Sequence, residues 1–214
     1  MLQREPTLGA LLALLCAVSM AYSASADSNA IGIGGGSTLL NAAISPHDTR
    51  LMIVSTDRGA VHISRDAGVS WILIPASQVG NGYHSEPAFD PVYDKTIFIS
   101  DGAILKVSLD GGLSWQPFLK GPSPWQDETI LHICQQTVGK NAMYVGTGSS
   151  LYMYDSNSHR WKRISKFNGE SRGIVSLATR TFAALPDGVY QTFDGGITWQ
   201  LAYAPPVGHE VLSL

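Results

Sequence analysis

The chain has 214 residues, 44% of them hydrophobic and 14% charged, with a formal net charge of −3. The apolar content is enough for a sizeable core, and the charged fraction falls well below the roughly 25% of an average globular chain. No basic stripe occurs, which argues against nucleic acid as a partner, and 22 glycines with 11 prolines indicate a chain rich in turns.

The N-terminus reads as an export signal. Arg4 supplies a positive charge, partly offset by Glu5. Residues 8–20 form a short apolar run with five leucines, and Ala24-Ser25-Ala26 is a small-x-small cleavage site. The pattern predicts a signal peptide over 1–26, a mature start at Asp27, and a periplasmic or extracellular address. The run is shorter than the roughly 20 residues a membrane-spanning helix needs, and a retained anchor is the alternative. Leu15 precedes Cys16 where a lipid-attachment site would want a small residue. No later segment approaches 18 apolar residues, so no stable span is expected after cleavage.

Cleavage would leave Cys134 alone, unable to form an internal disulfide. It ends the apolar run Ile130-Leu131-His132-Ile133-Cys134, which predicts a buried, inert thiol. The glycines of Ile31-Gly32-Ile33-Gly34-Gly35-Gly36-Ser37 are followed by no lysine and no helical pattern, so they do not read as a phosphate loop.

From Leu39 onward the chain consists of short apolar runs bounded by turn residues. The first four runs are residues 39–45, 51–56, 60–64 and 71–75. The next four are 86–89, 96–100, 104–108 and 115–119, followed by 130–137, 142–146, 151–154 and 160–164. The last four are 174–179, 181–184, 189–192 and 198–203. No window shows a helical stripe. Sixteen strands in four groups of four predict an all-β chain built of antiparallel four-stranded units that radiate as the blades of a β-propeller. Residues 210–214 read as the first, innermost strand of a fifth unit, which predicts a propeller only partly contained in this chain. A four-bladed propeller is the alternative.

An octet of the form S/T-x-D-x-G-x-S/T-W joins the third and fourth runs of each unit. It spans residues 64–71 with Asp66, Gly68 and Trp71, then 108–115 with Asp110, Gly112 and Trp115, and 192–199 with Asp194, Gly196 and Trp199. A worn copy at 154–161 keeps Asp155 and Trp161 but lacks the glycine. The four aspartates follow one another at steps of 44, 45 and 39 residues, the spacing of repeated supersecondary units. Glycine at the fifth position permits positive φ in a tight turn. The carboxylate can accept bonds from turn amides and the hydroxyl, and the Trp can pack against a neighbouring unit. One carboxylate per octet is too few for a Ca²⁺ loop, so the octets are expected to be structural.

These octets resemble the Asp-box (BNR) repeats of sialidases, xyloglucanases, sortilin-type receptors and photosystem II assembly-factor propellers. The resemblance covers the chain from about Ile31 onward. It implies a propeller fold with each box on the outer part of a blade, away from the ligand face. Sialidase chemistry is not implied, because the Arg-Ile-Pro motif of those enzymes is absent. The first unit, with Ile33-Gly34-Gly35-Gly36, Ile44-Ser45-Pro46 and Thr56-Asp57-Arg58-Gly59, is similar to the opening of xyloglucanases. That similarity places Asp57 on one of their two catalytic carboxylates. Ala60 replaces a second glycine, and the partner carboxylate would come from a second propeller. Inverting hydrolysis needs two carboxylates roughly 6.5–9.5 Å apart, so Asp57 alone is a turn residue unless a partner is supplied.

The histidines show no metal-site spacing, and no cofactor motif is present. Tyr83 and Trp125 stand out as loop aromatics able to stack on a sugar or peptide, with loop packing as the competing role for Trp125. Two functions follow: an exported propeller that binds or scaffolds a protein or glycan, or the N-terminal part of a xyloglucanase-like glycoside hydrolase that uses Asp57.

Overall fold

The computed structural model describes residues 38–80, 85–119, 124–136, 142–155, 158–164, 167, 169–177 and 179–214. The chain divides into two compact units, 1–32 and 33–214, and all described residues belong to the second.

The described chain is nearly all β. The first sheet contains β1 (Leu39–Ile44), β2 (Met52–Thr56), β3 (Val61–Ser64) and β4 (Ile72–Ile74). The second contains β5 (Pro87–Phe89), β6 (Ile97–Asp101), β7 (Ile104–Ser108) and β8 (Gln116–Pro117). The third contains β9 (Ile130–Gln135), β10 (Ala142–Thr147), β11 (Leu151–Asp155) and β12 (Arg160–Arg163). The fourth contains β13 (Gly173–Leu177), β14 (Arg180–Leu185), β15 (Gly188–Thr192) and β16 (Gln200–Tyr203). Strands lie in sequence order within each sheet, and neighbouring strands pair antiparallel. The first strands β1, β5, β9 and β13 neighbour one another in that order, so the sheets succeed each other around an axis those strands line.

The strand pattern of the sequence matches this arrangement, with small departures. Trp71, Trp115 and Trp199 sit just before the fourth strands rather than opening them. A single helical turn, Ala76–Val79, follows β4. Residues 210–214 form no strand. The Val211 amide donates once, to the Pro186 carbonyl at 3.1 Å, and no ladder follows.

The core is divided among the spaces between successive sheets. Ile53, Val61, Ile63, Ile97 and Ile99 fill the first space. Phe98, Val107, Trp125, Ile133, Met143 and Tyr152 fill the second. Tyr144, Leu151, Phe167, Ala183 and Trp199 fill the third. The second strands of the two inner sheets, β6 and β10, lie between neighbours on both faces and do not alternate between buried and exposed residues; all six residues of β10 are buried. Trp115, Trp161 and Trp199 each pack into the space shared with the preceding sheet. Trp71, in the first sheet, joins none of the three clusters.

Each intact octet is a hydrogen-bonded cage around its aspartate. Asp110 Oδ1 accepts from the Ser108 hydroxyl (2.7 Å) and from the amides of Leu113 (3.0 Å) and Ser114 (2.9 Å). Its Oδ2 accepts from the Ser114 hydroxyl, and Ser108 Oγ in turn accepts from the Gly112 amide at 2.7 Å. Asp194 repeats the pattern with Thr192, Ile197 and Thr198, and Asp66 repeats it with Ser64 and Ser70. In the worn copy, Asp155 Oδ2 accepts from the Ser158 hydroxyl at 2.9 Å.

Two consecutive residues of each intact octet have positive φ. They are Gly111 and Gly112 (74° and 87°), Gly195 and Gly196 (73° and 86°), and Ala67 and Gly68 (61° and 85°). The second glycine also touches the preceding sheet. A Cβ on Gly112 would lie 2.7 Å from Ile63 Cδ1, and one on Gly196 would lie 2.9 Å from Met153 Sδ. The octet therefore closes its own hairpin and seats it on its neighbour.

The cage lowers the pKa of its carboxyls. Bonds from the Ser114 hydroxyl and amide hold Asp110 well below the usual carboxylate range. Desolvation alone would raise Asp194, but the bonds from the Thr198 hydroxyl and amide outweigh it and hold the group at about 2. A carboxyl depressed in the folded state contributes stability that is whole above its unfolded value, about 4, and is lost as pH falls through the folded one. Melting curves of the wild type and Asp194→Ala should therefore show a constant gap between pH 7 and 5. The gap should narrow as the pH falls from about 4 to about 2.

Candidate functional site

In an antiparallel four-stranded sheet, the start of the first strand and the turn between strands two and three share one edge. The octets and the turns between strands one and two share the other. The first edge carries Asp57, Asp101, Glu128, Asp187 and the segments leading into β5, β9 and β13.

Buried hydroxyls near the ends of the second strands fasten the segments that lead into the first strands: across to the next sheet at Ser55, and within their own sheet at Ser100 and Thr147. Ser55 Oγ donates to the Ser85 carbonyl (2.7 Å), Ser100 Oγ accepts the Glu86 amide (2.8 Å), and Thr147 Oγ1 donates to Glu128 Oε2 (2.6 Å). All three hydroxyl residues are fully buried. The sequence marks them only as small hydroxyl residues in otherwise apolar strands.

Most carboxylates on this edge are already engaged. Asp101 pairs with Lys106 at 3.3 Å. Asp187 Oδ2 accepts the Tyr190 hydroxyl at 2.7 Å. Burial alone would raise Glu128, but the bonds from the Thr147 and Ser149 hydroxyls outweigh it and hold this carboxyl below its ordinary value. Such a group is ionised at neutral pH and has no proton to give. Asp57 Oδ1 accepts the Thr38 amide at 3.1 Å while its own amide donates to the Thr38 carbonyl at 2.9 Å, so it anchors the lead-in to β1.

A polar cleft of about 260 Å³ opens where the first strands converge, lined by Asn41, Leu131, His132, Glu170, Ser171, Arg172, Leu212 and Ser213. Asn41 Nδ2 donates to the Ser85 carbonyl at 3.1 Å, and His132 Nδ1 lies 3.9 Å from Glu86 Oε1. The Arg172 guanidinium lies 3.3 Å from Glu170 and 3.9 Å from Glu210, and its buried Nε has no acceptor among the described residues. This cluster was invisible in the sequence, because its members are far apart in the chain and only the succession of sheets brings them together.

The structure relocates the aromatic candidate Trp125. Its ring is only 1% exposed, its indole N–H donates to the Ala103 carbonyl at 2.7 Å, and it packs edge-on to Trp161 and Tyr152. A ring so enclosed offers no face to a ligand, so Trp125 is a core residue of the second inter-sheet space. Tyr83 lies outside the described residues. Burial pushes the Cys134 thiol up to about 12, which keeps it protonated and unreactive at neutral pH. Among the described residues no three His, Cys, Asp or Glu side chains converge as metal ligands, and no helix is long and apolar enough to cross a membrane.

No family profile and no curated protein matches the chain. Solved structures do. The GH74 xyloglucanase from Xanthomonas campestris aligns with a TM-score of 0.60 and 18% identity, over 75% of this chain and 29% of the enzyme. YCF48 from Cyanidioschyzon merolae aligns with a TM-score of 0.60 and 18% identity, over 84% of this chain and 60% of that protein. YCF48 bound to D1 peptide aligns with a TM-score of 0.57 and 16% identity, over 77% and 54%. The four sheets are blades of a β-propeller. At such identities the likeness establishes the fold alone, and the chain spans less than two thirds of the length of each of these structures.

Reassigning Trp125 to the inter-blade core has a measurable consequence. Trp125→Ala should cost about 3–5 kcal/mol, the range for emptying a buried aromatic site. Trp125→Phe should recover a substantial part of it. Chemical denaturation followed by far-UV circular dichroism checks both.

Proposed function

We propose that this chain is an exported propeller module that binds a protein or a glycan across the blade edge carrying Arg172 and His132. The observation that carries this reading is the state of the carboxylates on that edge. Asp101, Glu128 and Asp187 are each engaged in an ion pair or hydrogen bond, and Glu170 lies against Arg172. Carboxylates so engaged are poorly suited to act as the second group that acid–base hydrolysis would need beside Asp57. Beside them, the cleft combines a guanidinium donor, an imidazole and a carboxamide over the apolar Leu131 and Leu212. Such a mixture suits hydrogen-bonded recognition of a polar chain. The peptide-bound YCF48 supports a binding role for this fold. The pattern of residues 1–26 supports export.

The hydrolase reading rests on Asp57 and on the likeness to the xyloglucanase. The two are separated by assaying the protein on xyloglucan and on an immobilised peptide library. The binding reading predicts retention on one of these matrices, at least tenfold weaker in Arg172→Ala and unchanged in Asp57→Asn, with no reducing sugar released. Release of reducing sugar that Asp57→Asn abolishes at unchanged melting temperature would establish the hydrolase instead. Failure to be retained on either matrix would also contradict the binding reading.

A further inference from the structure

The opposite edge, which carries the octets, holds a separate cavity of about 180 Å³ between the second and third blades. Its apolar walls are Phe98, Phe118, Met143 and Tyr154, and its polar groups include Asp90 and Gln136. A cavity of roughly 150 Å³ admits a benzene ring, so this one has room for a single ring or a short alkyl chain with a polar end.

The polar groups specify what that end must be. Asp90 is only 8% exposed. Its Oδ1 accepts the amides of Val92 (2.8 Å) and Tyr93 (2.9 Å), which form the turn after β5. Among the described residues its Oδ2 meets only Gln135 Nε2, at a long 3.4 Å. His47 reaches the Asp90 main-chain carbonyl at 3.0 Å, not the carboxylate. Among the described residues no cationic side chain pairs with this carboxylate. Gln136 is 7% exposed, and its Oε1 is buried without a hydrogen-bond partner among the described residues. A buried carboxylate without a cation and a buried amide oxygen without a donor are both costly. A ligand bearing N–H groups and a positive charge would satisfy both, and aromatic walls are compatible with a cation.

We propose that this cavity binds a primary ammonium group carried on a small apolar body, with its N–H groups donating to Asp90 Oδ2 and Gln136 Oε1. The group could come from a free amine or from a lysine side chain of another protein, since the chemistry is the same. The cavity is on the edge opposite the cleft assigned to the main function, so the two readings stand or fall separately.

The test is titration of the full chain with benzylammonium and with benzyl alcohol, its neutral counterpart of the same size, followed by calorimetry and by amide chemical shifts. Benzylammonium is expected to bind at least tenfold tighter and to shift residues lining the cavity. Asp90→Asn, which keeps an oxygen for the turn amides, should remove that advantage and leave benzyl alcohol unaffected. Gln136→Leu should weaken benzylammonium severalfold without lowering the melting temperature, because it removes an unpartnered buried oxygen. If Asp90→Asn fails to fold, Gln136→Leu and the ligand comparison on the unaltered protein still decide. Tighter binding of Nα-acetyl-lysine N-methylamide than of benzylammonium would assign a protein lysine, and the reverse order a free amine. Equal affinity for the charged and neutral probes, shifts elsewhere, no binding, or a melting temperature lowered by Gln136→Leu would each overturn the proposal.

Discussion

The structure depends on one interaction repeated along the chain: an octet carboxylate caged by a preceding hydroxyl and by amides and a hydroxyl three and four residues further on. Around Asp110 the cage gathers the Ser108 and Ser114 hydroxyls and the Leu113 and Ser114 amides. These bonds hold a turn in which two successive residues occupy the left-handed region, a conformation L-residues other than glycine and asparagine or aspartate rarely adopt. The cage accounts for why Ala67 can sit at φ 61° where the equivalent positions carry Gly111 and Gly195. After two of the caged turns the following tryptophan packs into the inter-blade space, as Trp115 and Trp199 do, and Trp161 packs likewise after the worn copy. A charged group at the surface thereby positions an apolar one in the core.

The cage also divides labour between the two edges of the blades. The octet edge is occupied by turn hydrogen bonds and by contacts such as Arg65 to the Gly111 carbonyl at 2.7 Å. The opposite edge is bound together by the buried hydroxyls Ser55, Ser100 and Thr147, which leaves Arg172, His132 and Asn41 facing the convergence of the first strands. The residues that line the cleft are thus different from those that form the cages and the buried hydroxyl bonds. The cavity at Asp90 and Gln136 is the exception on the octet edge, a place where, among the described residues, inter-blade packing leaves the Gln136 amide oxygen without a donor and Asp90 Oδ2 with one long bond.

Much of the fold was legible in the sequence because the repeat is local. The octet carries its donors, acceptor and tryptophan within eight residues, and alternation with turn residues marks the strands. The strand expected after residue 209 did not form, since Val211 makes one backbone bond, to Pro186, and no ladder. The site was far less legible. Trp125 read as a loop aromatic, with ligand stacking and loop packing as competing roles, because its neighbours are Pro and Ser; Trp161 and Tyr152, distant in sequence, enclose it. Asp57 was conspicuous through its turn, but its bonds to Thr38 are ones a structural residue would make. Arg172 carried no signal at all, because only the succession of the third and fourth blades brings it into one cleft with His132.

The central claim is that the carboxylate cages hold the blades, and native-state hydrogen exchange of their amides tests it most directly. The Ser114 and Thr198 amides belong to residues with exposed side chains but donate to Asp110 and Asp194 at 2.9 Å. They should exchange only through global unfolding, as slowly as the amides of the buried β10. Exchange of these two amides at the rate of an open surface turn, with β10 still protected, would contradict the account.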